Sequence, residues 1–233
     1  MAKLHAAILA SVAIVFCAAA GFAQQPIAFT PAPPGTLVQS QPVALGGETA
    51  AGQWRAIASN RLVGAANGTK FYQWYLSIYA LRRGAYRLRY QSPGNGGPLA
   101  RVTQASGGVK MWFPVQDLQI VGAARLMQPG VQQLVVRSHE AGADCGAGTV
   151  SVFASGPAGS VVPAVSVYNP CELKATILTG QNALLLAGPY YAADAAMCCP
   201  TKTSASAVLR YHDGKWSESP NYYKLFIGKL PPA

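Results

Sequence analysis

Four residues of chemically useful type fall within seven positions: His139, Glu140, Asp144 and Cys145. Imidazole, carboxylate and thiolate are the groups that a zinc centre or a Cys-His nucleophile draws on. Their spacing does not reproduce a known metal pattern such as two histidines one helical turn apart. Gly142 and Gly146 place the cluster in a loop, and a disulfide at Cys145 would remove its thiolate. No Gly-x-Ser-x-Gly and no Gly-rich phosphate loop ending in Lys-Ser or Lys-Thr occurs. Beyond the N-terminal segment only His139 and His212 remain, and Asp117, Asp144, Asp194 and Asp213 are scattered. A chain this poor in histidine and carboxylate has few routes to acid–base chemistry. The expectation is therefore no catalytic residue, no metal and no cofactor, with a small exported enzyme using residues 139–145 as the alternative.

A second constellation suits binding. Arg82, Arg83, Arg87 and Arg89 lie within eight residues, and Tyr75 and Tyr79 stand shortly before them. Guanidinium forks match carboxylate, sulfate and phosphate, and aromatic rings match sugar faces or bases. The pattern of the surrounding residues makes these arginines one side of a hairpin. Residues 71–81 alternate, with Tyr72, Trp74, Leu76 and Ile78 on one face and Phe71, Gln73, Tyr75, Ser77 and Tyr79 on the other. Arg82-Arg83-Gly84 forms the turn. Residues 85–91 return with Tyr86, Leu88 and Tyr90 on one face, and Arg87 and Arg89 on the other. The competing reading is a solvated strand face over a buried Trp74, Leu76 and Ile78.

The elements that must hold these residues are strands. Residues 1–23 read as a secretory signal: Lys3 precedes an apolar run over residues 6–20, and Gly21-Phe22-Ala23 supplies small residues ahead of a cut before Gln24. That run is shorter than the ~20 residues a membrane span needs, and the mature chain contains no longer one. Residues 24–52, with Pro26, Pro31, Pro33, Pro34 and Pro42, read as an extended linker, because proline removes a backbone donor and fixes φ. Residues 53–233 then form a β-rich domain. From Ala123 onward the order strand, Gly turn, apolar strand, cysteine loop, strand occurs twice at an offset of about 50 residues. This suggests two related meander units, 53–159 and 160–233, although any β-meander resembles itself. The fold class expected is all-β or β-dominated, an antiparallel meander or sandwich.

Four cysteines survive signal removal, Cys145, Cys171, Cys198 and Cys199, in a compartment that permits disulfides. Adjacent cysteines rarely bond each other, because the small ring strains the peptide between them. Cys145 and Cys171 are thus each expected to bond one of Cys198 and Cys199, which would staple the domain. The chain carries 18 Lys and Arg against 8 Asp and Glu, a balance suited to acidic partners such as an anionic envelope component or an acidic polysaccharide.

Asp194-x-x-Met197-Cys198-Cys199-Pro200-Thr201, followed by Tyr211-x-Asp213-Gly214-Lys215-Trp216, resembles a pattern in uncharacterised exported bacterial β-domain proteins, some FG-GAP-like and some lipoprotein-type. The likeness covers residues 173–216 and implies a structural domain without catalytic residues. The acidic repeat loops of calcium-binding members do not occur. The sequence as a whole points to a periplasmic or secreted, non-enzymatic binding or structural β domain with an anionic ligand. Exported protein is accordingly expected to begin at Gln24 on N-terminal sequencing; an intact Met1 end would overturn the signal assignment.

Overall fold

The computed structural model describes residues 27–46, 53–66, 69–92, 102–104, 110–112, 115–140, 146–169, 171–190 and 202–219. The signal stretch, Asp144, Cys145, Cys198 and Cys199 lie outside them. The described residues form β-strands and one 3-10 turn. Three sheets of four or five strands and one of two follow in chain order. Sheet 1 holds β1 (Phe29–Thr30), β2 (Thr36–Val43), β3 (Trp54–Ala66), β4 (Thr69–Arg82) and β5 (Ala85–Gln91), ordered β1-β5-β4-β3-β2. Two short strands, β6 (Val102–Gln104) and β7 (Lys110–Trp112), pair only with each other among the described residues. Sheet 2 holds β8 (Val115–Gln128), β9 (Val131–Glu140), β10 (Gly148–Ser155) and β11 (Val161–Asn169). Sheet 3 holds β12 (Lys174–Leu178), β13 (Ala183–Tyr190), β14 (Lys202–His212) and β15 (Lys215–Ser219).

Sequential neighbours pair antiparallel in all three, so β2–β5, β8–β11 and β12–β15 are each a four-stranded meander. The repeat seen from Ala123 onward corresponds to sheets 2 and 3, with β8 to β10 matching β12 to β14. The boundary expected at 159/160 is corrected. β11 pairs with β10 along its length, so the second meander runs to Asn169.

Sheet 2 lies between the other two. Its Leu118, Ile120, Leu134, Val136 and Phe153 share one core with Ala56, Ala58, Leu76 and Ile78 of sheet 1. Its Val135, Val150, Val152, Val165 and Val167 share a second core with Leu184, Leu186, Ala207 and Leu209 of sheet 3. Strand β10 is therefore buried along almost its whole length, on both faces. Inside sheet 2 two buried hydroxyls pair with each other, Ser151 Oγ and Ser166 Oγ at 2.9 Å, whereas Ser59 Oγ and Ser77 Oγ of sheet 1 are buried without a partner among the described residues.

Strand β8 bears the strain of contacting both neighbours. Its register against β9 slips three times. Glutamine side chains take up the backbone groups near two of these slips. Gln39 of β2 donates from Nε2 to the Ile120 carbonyl (2.7 Å) and accepts from the Ile120 N–H (2.8 Å), joining sheets 1 and 2. The buried Gln133 accepts from the Leu126 and Met127 N–H groups (2.6 and 3.0 Å), which sends Leu126 into the second core.

Residues 24–52, expected as a linker, are corrected over their described part. β1 pairs parallel with β5 at one edge of sheet 1, and β2 pairs with β3 at the other. The chain between them crosses the outer face of the sheet. Phe29 stacks on Tyr86 and meets Tyr79 edge-on, both at 4.9 Å, and Tyr79 Oη donates to the Pro31 carbonyl at 3.1 Å. Gly35, at φ 69°, ends the crossing where a Cβ would sit 2.1 Å from the Asn60 carbonyl oxygen. Pro42 is tolerated in β2 because that strand is an edge, with only β3 as neighbour among the described residues.

Between sheets 2 and 3 the chain turns sharply. The buried Asn169 donates from Nδ2 to the Pro189 carbonyl (2.9 Å) and accepts from the Cys171 N–H (2.9 Å). Arg137 Nε donates to the Leu173 carbonyl (2.8 Å). Gly148 and Gly188 allow the turn to lie against β10 and β13, since a Cβ on either would meet backbone at 2.2 or 2.3 Å. Cys171 is disulfide-bonded, but every other cysteine lies outside the described residues, so neither expected pairing is shown. Asn169→Ala is expected to lower unfolding free energy by about 1–3 kcal/mol, because it strands a half-buried carbonyl and a buried N–H. Chemical denaturation checks this, and a variant as stable as the parent would show the turn is held by other contacts.

Candidate functional site

The β4–β5 hairpin forms as its alternation predicts, with Arg83 (φ 50°) and Gly84 (φ 76°) as the two left-handed residues of a tight turn. Positive φ at both central positions matches the right-handed twist of the flanking strands. Arg82, Arg83, Arg87 and Arg89 are all exposed. Among the described residues no carboxylate pairs with any of them. Arg87 pairs with Ala80, a residue of the first core, yet stays in solvent, so sheet 2 does not cover this corner.

One face assignment is corrected. The ladder between β4 and β5 shifts between Ile78 and Tyr79, leaving Arg89 as the extra residue of a bulge. Tyr90 is thereby turned away from Tyr86 and Leu88. It packs against Phe153 in the first core at 5.1 Å, where burial raises its phenol well above the usual range.

The two tyrosines do not flank the arginines as expected. Tyr79 is fully buried beneath Phe29 and the crossing segment, and burial raises its pKa. Tyr75 is 8% exposed; its hydroxyl donates to Gln73 Oε1 at 2.7 Å, and the Arg61 guanidinium lies 5.9 Å from its ring centre. Both rings serve the outer face of sheet 1, which the N-terminal crossing closes over. The sequence carries no sign of that cover, because the proline-rich stretch that supplies it has no alternation.

Charge is distributed unevenly along the chain. Residues 49–116 contain nine Lys and Arg and no Asp or Glu. Seven of these cations stand on sheet 1: Arg55, Arg61, Lys70, Arg82, Arg83, Arg87 and Arg89. Residues 115–219, which build sheets 2 and 3, hold six basic and seven acidic residues and are near neutral. Arg55 is fixed over Tyr86 at 5.6 Å with a hydrogen bond to Ser40 Oγ (3.2 Å), and Arg61 bonds Gln73 Oε1 (3.0 Å). Sheet 1 thus presents a field of one sign, and the four hairpin arginines are its uncommitted donors.

The other constellation comes apart. His139 and Glu140 lie on β9, not in a loop, and Glu140 is buried. His139 pairs with Asp117 and Gly148 in the ladder, and its ring closes on Gly146. Asp144 and Cys145 lie outside the described residues. Among the described residues no three His, Cys, Asp or Glu side chains converge as a metal site, and no helix is long and apolar enough to cross a membrane. A cleft of about 330 Å³ opens between the third slip of β8 and the β12–β13 turn, lined by Arg125, Leu126, Ile177, Thr179 and Asn182. No protein-family model, curated protein or solved structure matches the chain.

One carboxyl departs from ordinary behaviour. Burial pushes Glu218 of β15 from 4.5 up to about 7. The folded state then holds its proton more tightly than the unfolded chain, so the contribution of this group to stability falls as pH rises from about 4.5 to about 7 and is constant on either side. Glu218→Gln is expected to remove that slope. Thermal melts across the interval check it, and an unchanged slope in the variant would assign the dependence to another group.

Proposed function

We propose that this protein is an exported, periplasmic or secreted, non-enzymatic β domain that binds an anionic component of the cell envelope or an acidic polysaccharide through sheet 1. The observation that carries the reading is the segregation of charge: a sheet with seven cations and no carboxylate, joined to two sheets near neutrality. Arg82, Arg83, Arg87 and Arg89 supply the contacts, because they are exposed and no carboxylate among the described residues occupies them. Arginine presents a planar fork with five donors, which suits sulfate, phosphate and carboxylate groups spaced along a polymer. Tyr75 and Tyr79 support the sheet and are left out of the contact surface. The signal-like N-terminus and the likeness to exported Cys-Cys-Pro-Thr proteins fit the same compartment.

Binding of this kind is electrostatic and weakens steeply with salt, since screening shortens to about 8 Å at physiological ionic strength. Replacing Arg87 and Arg89 with Ala is expected to weaken heparin binding and to reduce the slope of log affinity against log salt by about 1 for each guanidinium–sulfate pair removed. Lys174→Ala with Lys215→Ala, on sheet 3, is the matched loss of charge. Isothermal titration at several salt concentrations separates the cases. Equal weakening by both pairs would mean that net charge, and not the hairpin, governs affinity.

A further inference from the structure

The far end of sheet 1 has a different character from the arginine corner. β2 begins at Thr36, opposite Asn60, and the β5 ladder ends at Gln91, opposite Ser77. Residues 61–66 of β3 and 69–73 of β4 therefore pair with each other and, among the described residues, with no other strand. They project as a two-stranded ribbon beyond the stack. Five of the seven exposed large hydrophobic residues among those described gather at this end: Leu37 (52%), Val38 (50%), Leu62 (51%), Val63 (51%) and Tyr72 (37%). Scattered exposed apolar residues need no account, but a concentration at one projection marks a contact surface.

The faces of the ribbon say what kind of partner fits. Leu62 pairs with Tyr72 and shares the face of Ala58 and Leu76, toward sheet 2. Leu37 pairs with Ser59 and lies on the opposite face. A single added strand or a flat protein surface covers one edge or one face. A medium that surrounds the projection covers both. Charge narrows the choice further. Arg61 and Lys70 stand among the apolar residues, and no carboxylate occurs in residues 49–116. A second copy of the chain would set these cations against their equals. An anionic surface attracts them, and tyrosine is at home where headgroups meet acyl chains.

We infer that the β3–β4 ribbon dips into an anionic lipid surface, with Leu37, Val38, Leu62, Val63 and Tyr72 entering the headgroup–acyl boundary while Arg61 and Lys70 meet lipid phosphates. The insertion is shallow, since the unpaired backbone edges of the ribbon keep their hydration at headgroup depth. The inference rests on the reading of sheet 1 as the anion-binding face, and it adds an apolar contact that a soluble polyanion does not use.

The test uses the full mature chain with vesicles of phosphatidylcholine alone, with vesicles containing phosphatidylglycerol, and with soluble heparin. The parent is expected to sediment with the anionic vesicles only. Leu62→Ser with Val63→Ser and Tyr72→Ser is expected to lose about tenfold or more of vesicle affinity with heparin affinity unchanged. Tyr72→Trp, a conservative change, is expected to gain indole emission that brominated lipid quenches. Vesicle binding unaffected by the triple substitution, or indole emission at position 72 untouched by brominated lipid, would overturn the inference. Heparin binding without vesicle binding would overturn it and leave the anion reading standing. Loss of both in the parent would sink the anion reading itself. Competition of vesicle binding by an alternating Glu-Leu peptide, with peptide affinity abolished by the triple substitution, would replace the lipid by a peptide strand.

Discussion

The structure depends on one sheet being apolar on both faces. Strand β10 presents Val150 and Val152 to sheet 3 and Phe153 to sheet 1, and none of the three reaches solvent. A strand so placed has no polar side on which to alternate, so it reads as a continuous run of small and apolar residues. Burying each large apolar side chain stabilises the fold by about 1.5–3 kcal/mol, and sheet 2 buries them in two directions at once. Neither outer sheet has a comparable core without it. Every backbone polar group in the middle layer must then find a protein partner, which explains why glutamine, asparagine and serine side chains appear there in bonded roles.

That requirement accounts for the irregularity of β8. An edge strand that contacts sheet 1 at Ile120 and sheet 3 at Leu126 has to rotate its side chains between the two cores. Register slips accomplish the rotation, and each leaves ladder groups without their usual partners. Gln39 and Gln133 replace the missing bonds from the side, one from another sheet and one from the neighbouring strand. Asn169 does the same at the crossing into sheet 3. The meanders are joined by side-chain amides as well as by apolar contact.

Alternation in the sequence is enough to read the β4–β5 hairpin, its arginine turn and the similarity of the second and third meanders. The layered arrangement is not legible, because periodicity reports which residues share a face and not which sheet that face meets. The bulge at Arg89 escapes for the same reason: a one-residue slip leaves no trace in composition, yet it sends Tyr90 into the core. The role of residues 27–43 is hidden by proline, which argues against a central strand but is compatible with an edge. Tyr75 and Tyr79 read as ligand contacts only while the cover over them is unseen. The strand pattern does show where cations stand; the missing acids between Glu48 and Asp117 are the stronger signal for the proposed site.

The four hairpin arginines contribute little to the fold that contains them. Among the described residues they pair with no carboxylate, and none stacks on a buried ring of sheet 1, in contrast to Arg55 over Tyr86. Arg137, bonded to the Leu173 carbonyl, shows what a structural guanidinium does in the same chain. Crowding like charges on one corner raises the free energy of the compact state, by an amount that salt reduces. A sheet could turn with Asn-Gly and carry lysine and glutamate in alternation on β5 at no such cost. The neutral balance of sheets 2 and 3 shows that the chain has carboxylates to distribute, and they are placed away from this corner. The cost is therefore confined to the one surface where an anion would offset it, and that is the ground for the proposal that sheet 1 binds one, since solubility is provided by either arrangement.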